Sequence, residues 1–172
     1  LHRGMSGSCK LKIETINVNG LGNPIKRSRV IFKKLGYINS FYSSYKNSRR
    51  RGVITLISNT VNFELIEECS DKYGRYVIVK GRIDNTVVTL VNVYAPPEED
   101  KTFFNLLFDK IAIMSERILI CGGDWNTILN YTKDTTSTKR YKNIKSKNLN
   151  ILIKDAGLCD VWRVLHPLER DY

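Results

Sequence analysis

Residues 10–18 (KLKIETINV) alternate Leu11, Ile13 and Thr15 with polar neighbours, the two-residue period of a half-buried strand. The pattern breaks at Asn17-Val18-Asn19-Gly20-Leu21-Gly22, a glycine-rich loop. Asn23-Pro24 then places an N-cap type before a proline at the first helical position. The helix it predicts runs through Ile25, Val30, Ile31 and Leu35 and stops at Gly36. From Gly52 the texture becomes β: residues 53–58, 61–66, 76–81 and 86–93 are rich in β-branched and aromatic types. Turn-forming Ser58-Asn59, 71–74 and Asp84-Asn85 separate them. Residues 98–114 fit an amphipathic helix with Phe103, Leu107 and Ile111 on one face beside Phe104 and Phe108. Acidic Glu98, Glu99 and Asp100 suit the positive end of its dipole. A buried strand at 117–121 leads into a turn at Gly122-Gly123-Asp124, and a helix at 145–156 closes at Gly157. Strands that precede, alternate with and follow helices predict an α+β domain layered on a largely antiparallel sheet.

Composition narrows the picture. The 172 residues suit one domain, read here as a flexible N-terminus over 1–9 and a single unit over 10–172. Lysine and arginine number 28 against 17 acidic residues, a net charge of +11 that favours a polyanionic partner. Apolar runs such as 118–121 are far too short to cross a bilayer, and residues 1–8 lack the apolar stretch of a secretory signal. Cys9, Cys69, Cys121 and Cys159 form no CxxC pair, which excludes zinc ribbons and predicts reduced thiols in a nuclear or cytoplasmic setting. His2 and His166 lack metal-pair spacing. A monomer without membrane association is expected.

Polar residues sit at strand ends in three places: 16–20 (INVNG), 91–96 (VNVYAP) and 120–126 (ICGGDWN). Strand ends of a layered domain gather at one rim and commonly build the site there. Asp124 is the one carboxylate among them, and strand alternation would aim Asn126 the same way. A carboxylate beside an amide can prepare a water and hold an oxyanion. Each stretch taken singly also reads as a plain turn.

In order along the chain, LKIETINVNGLGNPIKR, GVITLIS, VNVYAPPEED, ILICGGDWNTIL and GLCDVWRVLHP resemble the endonuclease/exonuclease/phosphatase family. Within it they are most similar to the apurinic/apyrimidinic-type endonuclease domain of LINE-type retrotransposons. The resemblance implies a four-layer α/β sandwich, two mixed and largely antiparallel sheets face to face with outer helices. It further implies hydrolysis of DNA phosphodiesters with magnesium or manganese. By this resemblance Asp124 orients or deprotonates the attacking water, Asn126 and Tyr94 contact the phosphate, and Asn17 and Asn19 lie at the metal. Departures accompany the likeness. Relatives carry a further strand and a Gln-Glu-Thr-His-like motif after the first helix, where this chain passes from Lys34 almost directly to Phe41. The family's Asp-bearing strand and Ser-Asp-His motif have no counterpart before Tyr172. The expected fold is therefore incomplete, lacking one interior strand and the C-terminal strands. Asparagine oxygens are neutral, so a hard divalent ion would be held weakly, and activity is expected to be impaired.

Basic residues cluster at Lys26 and Arg27, at Arg49 and Arg50, and at Lys139, Arg140 and Lys142, the expected contacts to nucleic acid. A non-catalytic nucleic-acid-binding remnant stands as the alternative, a phosphoinositide phosphatase or sphingomyelinase relative ranks lower, and an omitted strand predicts instability.

Overall fold

The computed structural model describes residues 16–17, 32–45, 51–131, 133–134 and 144–169. Among the described residues, the elements with both ends described follow in the order β1 (Ile16–Asn17), β2 (Asn39–Ser44), β3 (Gly52–Ile57), β4 (Phe63–Ser70), β5 (Tyr76–Ile83), β6 (Thr86–Tyr94), α1 (Lys101–Met114), β7 (Ile118–Asp124), α2 (Ile144–Asp155) and α3 (Val161–Leu165). They form a smaller sheet ordered β1-β3-β2 and a larger one ordered β4-β5-β6-β7. Every pairing is antiparallel except β6 with β7, which α1 joins as a parallel crossover.

Alternation along β5 and β6 feeds two cores. Val77, Val79, Val88 and Leu90 meet Phe41, Val53 and Ile57 of the smaller sheet. Ile78, Val91 and Val93 face the other way, onto Phe104, Leu107 and Ile111 of α1 and Leu149 of α2. Sheet lies on sheet, with helices on the outer face of the larger one. Asp100 starts α1 by accepting the Thr102 and Phe103 N–H groups, and that hydrogen bonding holds its carboxyl below the usual range. Glu98 and Glu99 lie before the helix and pair with Arg51 and Arg75 instead. Of the first predicted helix, residues 32–34 are described. Its end is a paired-bond cap in which Tyr37 N–H reaches Phe32 O and Gly36, at φ +88°, donates to Lys33 O.

Several expectations are corrected. Asn39–Ser44, read as a stretch without a strand, pairs along its whole length with β3. It went unseen because only Phe41 is apolar and buried there. Its buried Ser43 is satisfied from outside, donating to the Asp71 carbonyl and, at 3.0 Å, to Asp71 Oδ1. Gly122-Gly123-Asp124 is strand, paired with Asn92, Val93 and Tyr94. The segment 161–165 adds a short helix capped by Asp160. Ile16 and Asn17 of β1 pair directly with Ile54 and Val53 of β3. The predicted flexible stretch 1–9 lies outside the described residues, as does most of the first helix.

Candidate active site at the strand-end rim

Because β6 and β7 run parallel, their C-terminal ends reach the same rim, and Tyr94 and Asp124 are direct Cα partners there. Tyr94 continues the alternation that turns Val88 and Leu90 toward the smaller sheet and, half-buried, packs against that core. Backbone bonds fix the two ends: Tyr94 N–H donates to Arg75 O at 2.7 Å and Ala95 N–H to Asp124 O at 2.8 Å. The strands can approach this closely because residue 123 is glycine, at φ +118°. A Cβ there would stand 2.0 Å from Val93 O.

Asn126 does not follow Asp124 by strand alternation, since β7 ends at Asp124 and Asn126 adopts φ +45°. A turn achieves the juxtaposition: Asn126 N–H donates to Asp124 Oδ1 at 3.0 Å, and Asn126 Nδ2 to Ala95 O at 3.0 Å. Trp125 anchors this turn by stacking on Phe104, with centroids 6.1 Å apart. Asn17 pairs through its backbone with Val53, and β1 lies against β7. The Asn17 side chain is outside the described residues, as are Asn19, Lys26, Arg27, Arg49, Arg50, Lys139, Arg140 and Lys142.

Three contributors lie outside the site residues assigned from the sequence. Asn92, buried two positions below Tyr94, donates from Nδ2 to Ile54 O at 2.8 Å and clips the two sheets together. Its signal was an amide inside an apolar strand. Arg75 binds Asp71 Oδ2 at 2.6 Å and Glu99 Oε1 at 2.9 Å. Burial lowers its pKa, but the hydrogen bonds it donates to those two carboxylates, with their charges, more than offset this and leave it raised. Lys145, at the start of α2, lies over the Phe104 ring at 5.4 Å. Burial pulls its pKa down against the opposing charges of Glu99, Glu98 and Asp124, so a cation stands in the field of the rim carboxylate.

The fold has solved counterparts. The endonuclease domain of TRAS1, a telomere-specific non-LTR retrotransposon, superimposes with a TM-score of 0.52 at 17% identity, covering 69% of this chain and 52% of that one. TDP2 of D. rerio, complexed with a single-strand DNA product, gives 0.53 at 14% identity, covering 91% of this chain and 58% of that one. The chain shares the fold of these two solved proteins. In sequence the chain is 29% identical, over 184 residues and 91% of its length, to a 149 kDa uncharacterized protein of transposon TX1 from Xenopus laevis. It spans 14% of that protein and little more than half of the two solved chains. No family model matches it.

Within this fold the donor set can be tested against a divalent cation. No group of three or more His, Cys, Asp and Glu side chains that could hold a metal occurs among the described residues. Of Tyr94, Asp124 and Asn126 only Asp124 brings a charged oxygen, whereas magnesium binds through carboxylates in a near-octahedral shell. These residues do not by themselves fit the ion. The described cysteines, Cys69, Cys121 and Cys159, are free thiols, and no helix among the described residues is long and apolar enough to cross a membrane.

Proposed function

We propose that the chain is a DNA-binding phosphodiesterase domain of retrotransposon-endonuclease type, with weak hydrolytic activity. The observation that carries this is the opposition of Tyr94 and Asp124 on parallel strand ends, with Asn126 clipped to the same carboxylate. The role of each follows from its chemistry. Asp124 accepts the proton of a water and aims it at phosphorus. The Tyr94 hydroxyl and the Asn126 carboxamide hold non-bridging oxygens as charge builds on them. Lys145, kept near the carboxylate by α2, adds positive potential for a phosphate approaching the rim. The net charge of +11 supplies the affinity that does not depend on sequence, and that affinity falls steeply with salt. Weak turnover follows from the single carboxylate, because concerted sites lose orders of magnitude when a member is missing.

The likeness to a retrotransposon endonuclease in fold, and to a transposon protein in sequence, supports DNA over lipid head groups as substrate. The absence of an acidic cluster among the described residues favours a second reading, DNA binding without cleavage. Nicking of supercoiled plasmid with magnesium or manganese separates the two. Slow nicking that drops roughly a hundredfold in Asp124→Asn supports the enzyme. Nicking unaffected by that substitution refutes the site, and tight salt-sensitive binding with no nicking establishes the second reading.

A further inference from the structure

The last rung of an antiparallel ladder has a neighbour on one side only and is where the ladder frays. At the rim end of β5 and β6 that rung is the bond from Tyr94 N–H to Arg75 O, 2.7 Å long. Arg75 is held from two directions. Asp71 Oδ1 accepts its backbone N–H at 2.7 Å, and Asp71 Oδ2 accepts from its Nε at 2.6 Å. The same carboxylate takes a hydrogen bond from Ser43 of β2, which ties the β4–β5 turn to the smaller sheet. On the other side Arg75 Nη1 donates to Glu99 Oε1 at 2.9 Å. The guanidinium carbon stands 4.9 Å from the Tyr73 centroid and 4.7 Å from that of Phe103, so ring faces confine the fork as well.

These bonds set Arg75 against both ends of the connection from β6 to α1. Its carbonyl holds Tyr94 at the start, and its guanidinium holds Glu99 beside the Asp100 cap at the finish. Between them Ala95 donates to Asp124 O and accepts from Asn126 Nδ2. The span that carries Tyr94 and fastens the other two site residues is thus bracketed by one arginine. A planar fork bonded to two carboxylates has little rotamer freedom. Its backbone N–H is tied to the same Asp71, so side chain and main chain are fixed together.

We propose that Arg75 is the positioning residue of the rim: it touches no substrate and acts by keeping the last rung closed, so that Tyr94 stays in register with Asp124. This rests on the reading that the rim hydrolyses phosphodiesters. The test compares Arg75→Lys, which keeps the charge and loses the planar fork, with the parent chain at a temperature where circular dichroism shows both folded. In plasmid nicking with magnesium or manganese it lowers kcat roughly tenfold and leaves KM within about twofold. In a Tyr94→Phe background the same substitution costs less than about twofold, because the hydroxyl it would misplace is already gone. A second readout needs no turnover. Amide hydrogen exchange at Tyr94 rises roughly tenfold in Arg75→Lys, while Thr86, at the opposite end of β6, stays within about twofold. Glu99→Gln, which loosens one anchor, gives a smaller rise at the Tyr94 amide. No rise at Tyr94, an equal rise at Thr86, or the same tenfold loss of kcat in both backgrounds overturns the proposal. A selective rise at Tyr94 in a chain that nicks nothing sinks the nuclease reading and leaves Arg75 as the residue that sets Tyr94.

Discussion

Gly123→Ala tests the close approach on which the rim depends. The added Cβ would stand 2.0 Å from Val93 O and 2.7 Å from Val93 N, against about 3.5 Å for an unstrained carbon contact. Neither neighbour can yield, because both are backbone atoms of β6. Relief requires β7 to move off β6 by more than an ångström, which breaks the ladder where Tyr94 faces Asp124. Overpacking of this kind costs about 1–3 kcal/mol, and a side chain at φ +118° costs about 1–3 kcal/mol more. A total near 4 kcal/mol lowers the melting midpoint by roughly 8–16 °C in a chain of this size. Gly36→Ala supplies the control. It also has a left-handed backbone, at φ +88°, but nothing lies within 4 Å of its Cβ, so it bears the conformational cost alone. Urea unfolding followed by circular dichroism measures both variants. Destabilisation equal to within about 0.5 kcal/mol would refute the argument, since the backbone clash would then contribute nothing.

Other expectations follow from the polar groups. Arg75→Met strands the nearly buried Asp71 carboxylate and Glu99, and destabilises by about 3 kcal/mol in urea unfolding. Arg75→Lys recovers less than half of this, because one ammonium cannot reproduce a planar fork spanning two carboxylates. Thr89 is fully buried and its hydroxyl has no hydrogen-bond partner, so Thr89→Val raises stability by about 1 kcal/mol in the same assay. Burial pushes the Cys121 thiol up to about 12, above its unfolded value near 8.5. A raised folded pKa gives stability that is complete below the unfolded value and is lost as pH climbs from there toward 12. The urea midpoint should fall over that range and fall less in Cys121→Ala. At pH 8, iodoacetamide should modify exposed Cys159 and spare Cys121 until the chain unfolds.

The sequence was most legible where a single periodicity decided burial. Val77, Val79 and Ile78 alternate between two cores, and Phe103, Phe104, Leu107 and Ile111 recur at helical spacing, so β5, β6 and α1 could be read directly. Legibility failed where a distant group supplied the reason. Ser43 is buried only because Asp71 satisfies it, which concealed β2. The two glycines of β7 suggested a turn, while the space beside Val93 made them strand. In α3, Val161, Val164 and Leu165 are all exposed and mark no core face. For the candidate site, the two later motifs meet where Tyr94 pairs with Asp124, as strand ends of parallel neighbours must. The turn that fastens Asn126 and the Asn92 clip depended on tertiary hydrogen bonds with no local signature.

The pairing order bears on how the molecule assembles and loosens. Strands β4, β5 and β6 are successive hairpin neighbours and β7 returns after one helix, so this half closes only short loops and can form early. Ile16 and Asn17 of β1 join partners more than thirty positions away in sequence, a long closure that forms late. Amide hydrogen exchange at Ile16 and Asn17 should therefore outpace that at Val77–Val79, whose ladder joins hairpin neighbours in the larger sheet.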